Sequence, residues 1–153
     1  MIKVPGLNRR RRMLLRKLER IMKRVEKGRL PMYIKEVYLF GSFLRGKGDP
    51  SDLDILLIYD SNRTASQYTR VDEEGRPAWD LAEMQRSPSR LRGCLKSNSE
   101  RTVDICICPS LEAFQKDLAY RMDIWLKIWG TEDRRWREKV RSHFQGSRPR
   151  PRC

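Results

Sequence analysis

The segment that most constrains this chain is "DLDILLIYD", residues 52–60. Beyond Asp54 it is apolar at every position to Ile58, and so reads as a strand buried on both faces at the centre of a sheet. Yet it begins with two carboxylates. Burying unpaired carboxylates is costly, so something positive must sit opposite them. The candidates are a Lys or Arg of the chain, a metal ion, or a substrate that carries a metal.

The flanking segments supply the rest of a sheet. "EVYLF", 36–40, reads as a short strand running straight into Gly41, and "RTVDICIC", 101–108, as a third strand ended by Pro109. Residues 8–28 read as a basic helix with Leu14, Leu18, Ile21 and Val25 on one stripe, ended by Gly28 and Pro31. Ser110 is placed to cap a helix with Glu112 in its first turn, carrying Leu111, Phe114, Leu118, Met122, Trp125 and Trp129 to a stop at Gly130. Thr131 is expected to cap a last basic helix, with Glu132 and Asp133 in its first turn and Trp136, Val140 and Phe144 at steps of four. Residues 60–100 are least legible: a loop, an edge hairpin around Gly75, and helical pieces interrupted at Pro88.

These elements predict one domain over residues 1–146, within the usual size for a single core. It comprises a basic N-terminal helix in 1–30, a core in 36–108 and C-terminal helices in 110–144, followed by a disordered basic tail, 147–153. The expected fold is mixed α/β (α+β). A mixed central β-sheet carries the carboxylates on one face, and helices from both chain ends pack on the other.

Composition narrows the environment. No apolar run approaches the roughly 20 residues that span a bilayer, and "MIKVPGLNRRRR" lacks the apolar centre of a signal peptide. Cys94, Cys106, Cys108 and Cys153 follow no disulfide framework, so a cytoplasmic protein without a membrane role is expected. Cys106 and Cys108 share a strand face, but that spacing is not a zinc-knuckle spacing and His143 is the only histidine, so reduced packing cysteines are expected. His143 itself reads as a surface or packing residue. The net charge of +14 is uneven: +10 in residues 1–30, +5 in 131–153 and −1 between them. A near-neutral body with two basic ends suits contacts with nucleic acid or an acidic partner, or else solvated helix faces.

Asp52 and Asp54 lie two apart and so share a strand face. An oxygen-only pair suits a hard divalent ion such as magnesium, which binds through few carboxylates plus substrate phosphates. Upstream, Gly41 lets backbone approach a ligand closely, Ser42 offers an N–H and a hydroxyl, and a helical turn beginning "SFLRG" presents free N–H groups to an anion. Arg45 and Lys47 add positive charge. A phosphate-binding turn and a metal-binding pair are thus joined by residues 43–51, which points to magnesium carrying a nucleoside triphosphate as the positive partner. Asp104, in an otherwise apolar strand, completes a triad if its strand neighbours that of Asp54.

"GSFLRGKGDPSDLD" with the distant Asp104 resembles the signature of the DNA polymerase beta-type nucleotidyltransferase superfamily, over about residues 36–108, and the compact chain is similar to its minimal nucleotidyltransferases, some of which pair with a toxin. The resemblance implies a sheet of the nucleotidyltransferase type and transfer of a nucleoside monophosphate from an NTP, ATP foremost, to a hydroxyl, with release of pyrophosphate. It implies that Gly41 and Ser42 hold the triphosphate, with Arg45 and Lys47 as further phosphate contacts. Asp52 and Asp54 would bridge two Mg2+ or Mn2+ ions, and Asp104 would bind the ion on the nucleophile side and help deprotonate the acceptor. Asp49 and Asp60 read as loop residues.

Three acceptors compete: a partner protein, as in toxin-paired members; RNA, favoured by the basic ends; and a small cationic molecule, disfavoured by the chain's own charge. A non-enzymatic alternative is a nucleotide- or RNA-binding module, or an antitoxin-like partner of a toxin. The Trp129 and Trp136 region is a candidate surface for a second subunit, although apolar residues at helical spacing more often form core.

Overall fold

Asn8 opens the first helix, its side chain accepting the Arg11 N–H at 2.8 Å, and α1 runs Arg9–Lys27 until Gly28, at φ +69, turns the chain away. The computed structural model describes residues 2–45, 49–118 and 125–146. After α1 come β1 (Ile34–Phe40), a 3₁₀ turn (Ser42–Leu44), β2 (Leu53–Tyr59), α2 (Ser61–Gln67), a hairpin of β3 (Thr69–Val71) and β4 (Pro77–Trp79), α3 (Leu81–Leu95), β5 (Val103–Cys108), α4 (Leu111–Leu118), β6 (Trp125–Trp129) and α5 (Trp136–Gly146). No helix among the described residues is long and apolar enough to cross a membrane.

The main sheet has the order β5-β2-β1-β6. β2 pairs antiparallel with β1 and parallel with β5, and β6 pairs antiparallel with β1, so the sheet is mixed and β2 is central, as its apolar sequence requires. Alternation divides the side chains. Val37, Leu39, Leu53, Ile55, Leu57, Val103 and Ile105 face a core shared with Leu14, Leu18, Ile21 and Val25 of α1, Leu91 and Leu95 of α3, and Trp136, Val140 and Phe144 of α5. The opposite face carries Asp54 and Asp104, then Tyr38, Phe40, Leu56 and Ile58, over which α4 lays Phe114.

Several expectations are corrected. Trp125–Trp129 is not the end of a helix but β6, and Met122 lies outside the described residues. Trp and Ile are good strand formers, and "WLKIW" covers the open edge of β1 with an irregularity between Val37 and Tyr38. Trp129 and Trp136 are 5% and 0% exposed, which makes them core and not a docking surface. The last helix begins at Trp136 and not after Thr131; the side chain of Asp133 instead accepts the Arg135 N–H ahead of the helix.

A further correction is Pro88, which does not divide α3. A proline there removes the N–H that would reach the Met84 carbonyl. The buried Ser87 hydroxyl donates to that same carbonyl at 2.6 Å and satisfies it. A hairpin around Gly75 is present, with Gly75 at φ +80 in its turn, but β3 and β4 form a two-stranded sheet of their own and not an edge of the main sheet. Asp60, expected in a loop, caps α2 by accepting the Arg63 N–H. Ser110 accepts the Ala113 N–H at the start of α4, as its position implied. The tail, 147–153, lies outside the described residues.

Candidate active site

Parallel pairing sets Asp54 opposite Asp104, in register on neighbouring strands and on the same sheet face. Asp52 lies one residue before β2, at the same mouth of the sheet. Asp104 and Asp52 both lie close enough for their charges to act on Asp54. Asp54 and Asp52 are half-buried and Asp104 is exposed. Burial first, then the charges of Asp104 and Asp52, push the Asp54 carboxyl up to about 6. Among the described residues, no ion pair neutralises any of the three.

Gly41 ends β1 directly against this cluster. Its φ is +80, and a Cβ at this position would lie 2.4 Å from Asp54 Oδ2. Both the backbone conformation and the close approach thus require glycine. Ser42 opens the 3₁₀ turn. Its Oγ accepts the Ser51 N–H at 3.1 Å and lies 3.3 Å from Ser51 Oγ, so in this conformation the hydroxyl closes the loop on itself. Arg45 is exposed just after the turn; Lys47 lies outside the described residues.

The turn is held from behind by residues that motif reading passed over. Arg11, 4% exposed on α1, donates through Nε to the Phe43 carbonyl and through Nη2 to those of Ser42 and Arg45. Burial lowers the pKa of its guanidinium, and Asp49 opposes that shift. His143 Nε2 of α5 lies 2.8 Å from the Leu44 carbonyl, for which it must carry the proton. All four carbonyls of residues 42–45 are thereby engaged from the core side. Arg10 donates to the Pro50 and Ser51 carbonyls, and Asn8 to Asp49, fixing the far end of the same loop. A signal for Arg11 was present: it precedes Leu14, Leu15 and Leu18 by three, four and seven residues, so a cation occupies the apolar stripe.

Among the described residues, no group of three or more His, Cys, Asp or Glu side chains is poised to hold a metal ion. Cys106 and Cys108 are half-buried and pack beside Leu56 and Ile58. The donor set still fits a hard ion that arrives with phosphates. It is all carboxylate oxygen, Asp54 is raised by burial and then by the charges of Asp104 and Asp52, and magnesium ordinarily takes only one or two protein carboxylates.

The crystal structure of a putative nucleotidyltransferase from Sulfolobus solfataricus is similar to this chain at 21% identity, with a TM-score of 0.44, covering 84% of this chain and 95% of that one. No curated protein matches the chain. The model of the Family of unknown function (DUF6932) matches residues 2–151, and the chain belongs to that family.

Proposed function

We infer that this protein is a metal-dependent nucleotidyltransferase, transferring a nucleoside monophosphate from an NTP, ATP foremost, to a hydroxyl of an RNA or protein acceptor. The observation that carries the reading is the register pairing of Asp54 with Asp104 beside a glycine that only glycine can replace. Asp52, Asp54 and Asp104 would hold two Mg2+ or Mn2+ ions delivered with the triphosphate. When bound, such ions supply charge neutralisation at the entering and leaving oxygens of an in-line displacement. Gly41 lets the triphosphate approach the backbone, and Ser42, Arg45 and Lys47 contact its phosphates once the Ser42 hydroxyl exchanges Ser51 for the ligand.

Asp104, the exposed member of the triad, takes the hydrogen of the acceptor hydroxyl as its oxygen bonds to the α-phosphorus. The bond from that phosphorus to the bridging oxygen breaks, pyrophosphate leaves, and the proton passes from Asp104 to water. Asp54, pushed up to about 6 by burial first and then by the charges of Asp104 and Asp52, is the carboxylate most relieved by a cation and so the one whose loss costs most.

Incubation with each α-labelled NTP, magnesium or manganese, and cell extract tests this, with γ-labelled NTP and Asp54→Asn protein as controls. Label that enters RNA or protein from the α position alone, and is lost in the variant, supports the reading and identifies the acceptor class. NTP binding without transfer in either metal replaces it with a nucleotide-binding module, the alternative favoured by the lack of a preassembled ligand group among the described residues. No NTP binding sinks it.

A further inference from the structure

The outer face of α1 carries Arg9, Arg12, Arg16, Arg20, Lys23 and Lys27, all exposed. At about 100° per residue they fall within an arc of about 80°, and the row runs roughly 27 Å along the helix. Among the described residues none of them is in an ion pair. The two carboxylates of α1 are occupied elsewhere: Glu19 is buried against the Ile2 N–H, and Glu26 engages Trp136 Nε1 and Arg137. Like charges three and four residues apart weaken a helix. Maintaining six in a row without a counter-charge calls for a polyanion.

We propose that this row is a docking track for a single strand of RNA, leading its end to the carboxylate site. Three observations select that partner. The row is one residue wide and the opposite face of α1 is packed into the core, so α1 offers a single file of cations that matches a single file of phosphates. The apolar residues of α1 are consumed by that packing, and only Met13, 36% exposed, borders the row, so the helix has no face to insert into an anionic membrane. Finally, the row begins beside Asn8, Arg10 and Arg11, the residues that hold the 42–51 loop next to Asp54. The choice of RNA over DNA rests on the nucleotidyl-transfer reading, in which an RNA hydroxyl is an acceptor; the charge row does not.

The test is fluorescence anisotropy of the full chain with a labelled 20-nucleotide single-stranded RNA between 50 and 200 mM salt. The comparisons are a DNA strand of the same sequence, phosphatidylserine vesicles and polyglutamate. Six phosphate contacts give a slope of log affinity on log salt of about −4. The triple variant Arg12→Gln/Arg16→Gln/Arg20→Gln keeps good helix formers, so circular dichroism should be unchanged, while the slope falls by about 2 and affinity at 50 mM salt drops at least about tenfold. No RNA binding at 50 mM salt, an unchanged slope in the triple variant, or tighter binding of DNA, vesicles or polyglutamate overturns the proposal. NTP binding by the triple variant separates the two readings: RNA binding lost with NTP binding kept is the expected result, and transfer to a protein by a chain that ignores RNA defeats the track alone.

Discussion

A Cβ on Gly41 would meet Asp54 Oδ2 at 2.4 Å, and Asp54 in turn faces Asp104 and Asp52. The contact makes these residues one unit, with opposite expectations for stability. Gly41→Ala adds a clash to a backbone conformation reserved for glycine, and should cost about 2–3 kcal/mol in urea unfolding together with NTP binding. Asp54→Asn should do the reverse to stability. The carboxyl is raised from its ordinary 3.8 to about 6 in the folded chain, so between those values the folded state holds more protons than the unfolded state. Wild-type stability therefore falls as pH rises from about 4 to 6 and stays low above it. The asparagine variant loses that slope. Because Asp54 is only half-buried, water screens the effect, and at pH 7.5 the variant should exceed wild type by about 1 kcal/mol while losing transfer activity. Equal pH profiles for the two proteins would remove the Coulombic account of the site.

At the scale of elements, the loop of the site is made by parts of the chain far from it. α1 and α5 come from opposite ends of the sequence, and their Arg11 and His143 hold the carbonyls of residues 42–45. Arg11→Lys keeps the charge but not the fork that reaches three carbonyls, leaving buried acceptors unsatisfied. It should cost about 1–3 kcal/mol, and weaken NTP binding more than an equally destabilising Val140→Ala variant in α5, because Arg11 bonds the turn directly. Equal losses of NTP affinity in both would reduce Arg11 to a packing residue. What could be read from the sequence follows the same division. Asp52, Asp54, Gly41 and Asp104 lie in strands of strong period or at their ends, and short-range patterning places them. β6 was misread because Trp125 and Trp129 also fall at helical spacing, and only the open edge of β1, a tertiary fact, decides between the two. α3 continues through Pro88, and the Met84 carbonyl left without its helical donor is satisfied by a Ser87 hydrogen bond that no propensity contains. In the run of four arginines, only position sets Arg11 apart: it precedes Leu14, Leu15 and Leu18 by three, four and seven residues and so falls on the apolar stripe.

The whole molecule is a near-neutral sheet and core with its positive charge at the chain ends, and that asymmetry has a cost of its own. Along α1, neighbouring cations of the exposed row stand one turn apart, about 5–6 Å, well inside the Debye length of about 10 Å at 0.1 M salt. Each like-charged pair at that spacing destabilises a helix by about 0.2–0.5 kcal/mol. Replacing Arg12, Arg16 and Arg20 with Gln removes four such pairs, so the triple variant should be more stable than wild type by about 1–2 kcal/mol at low ionic strength. Added salt should raise the wild-type melting temperature and leave the variant's nearly unchanged, so that the two curves converge toward 0.5 M. That convergence distinguishes a row retained for binding from one that merely solubilises: solvated cations spaced for comfort would show no gain on removal. If the variant is instead less stable at every salt concentration, the arginine stems are packing against α1's neighbours, and the row is part of the fold before it is part of any interface.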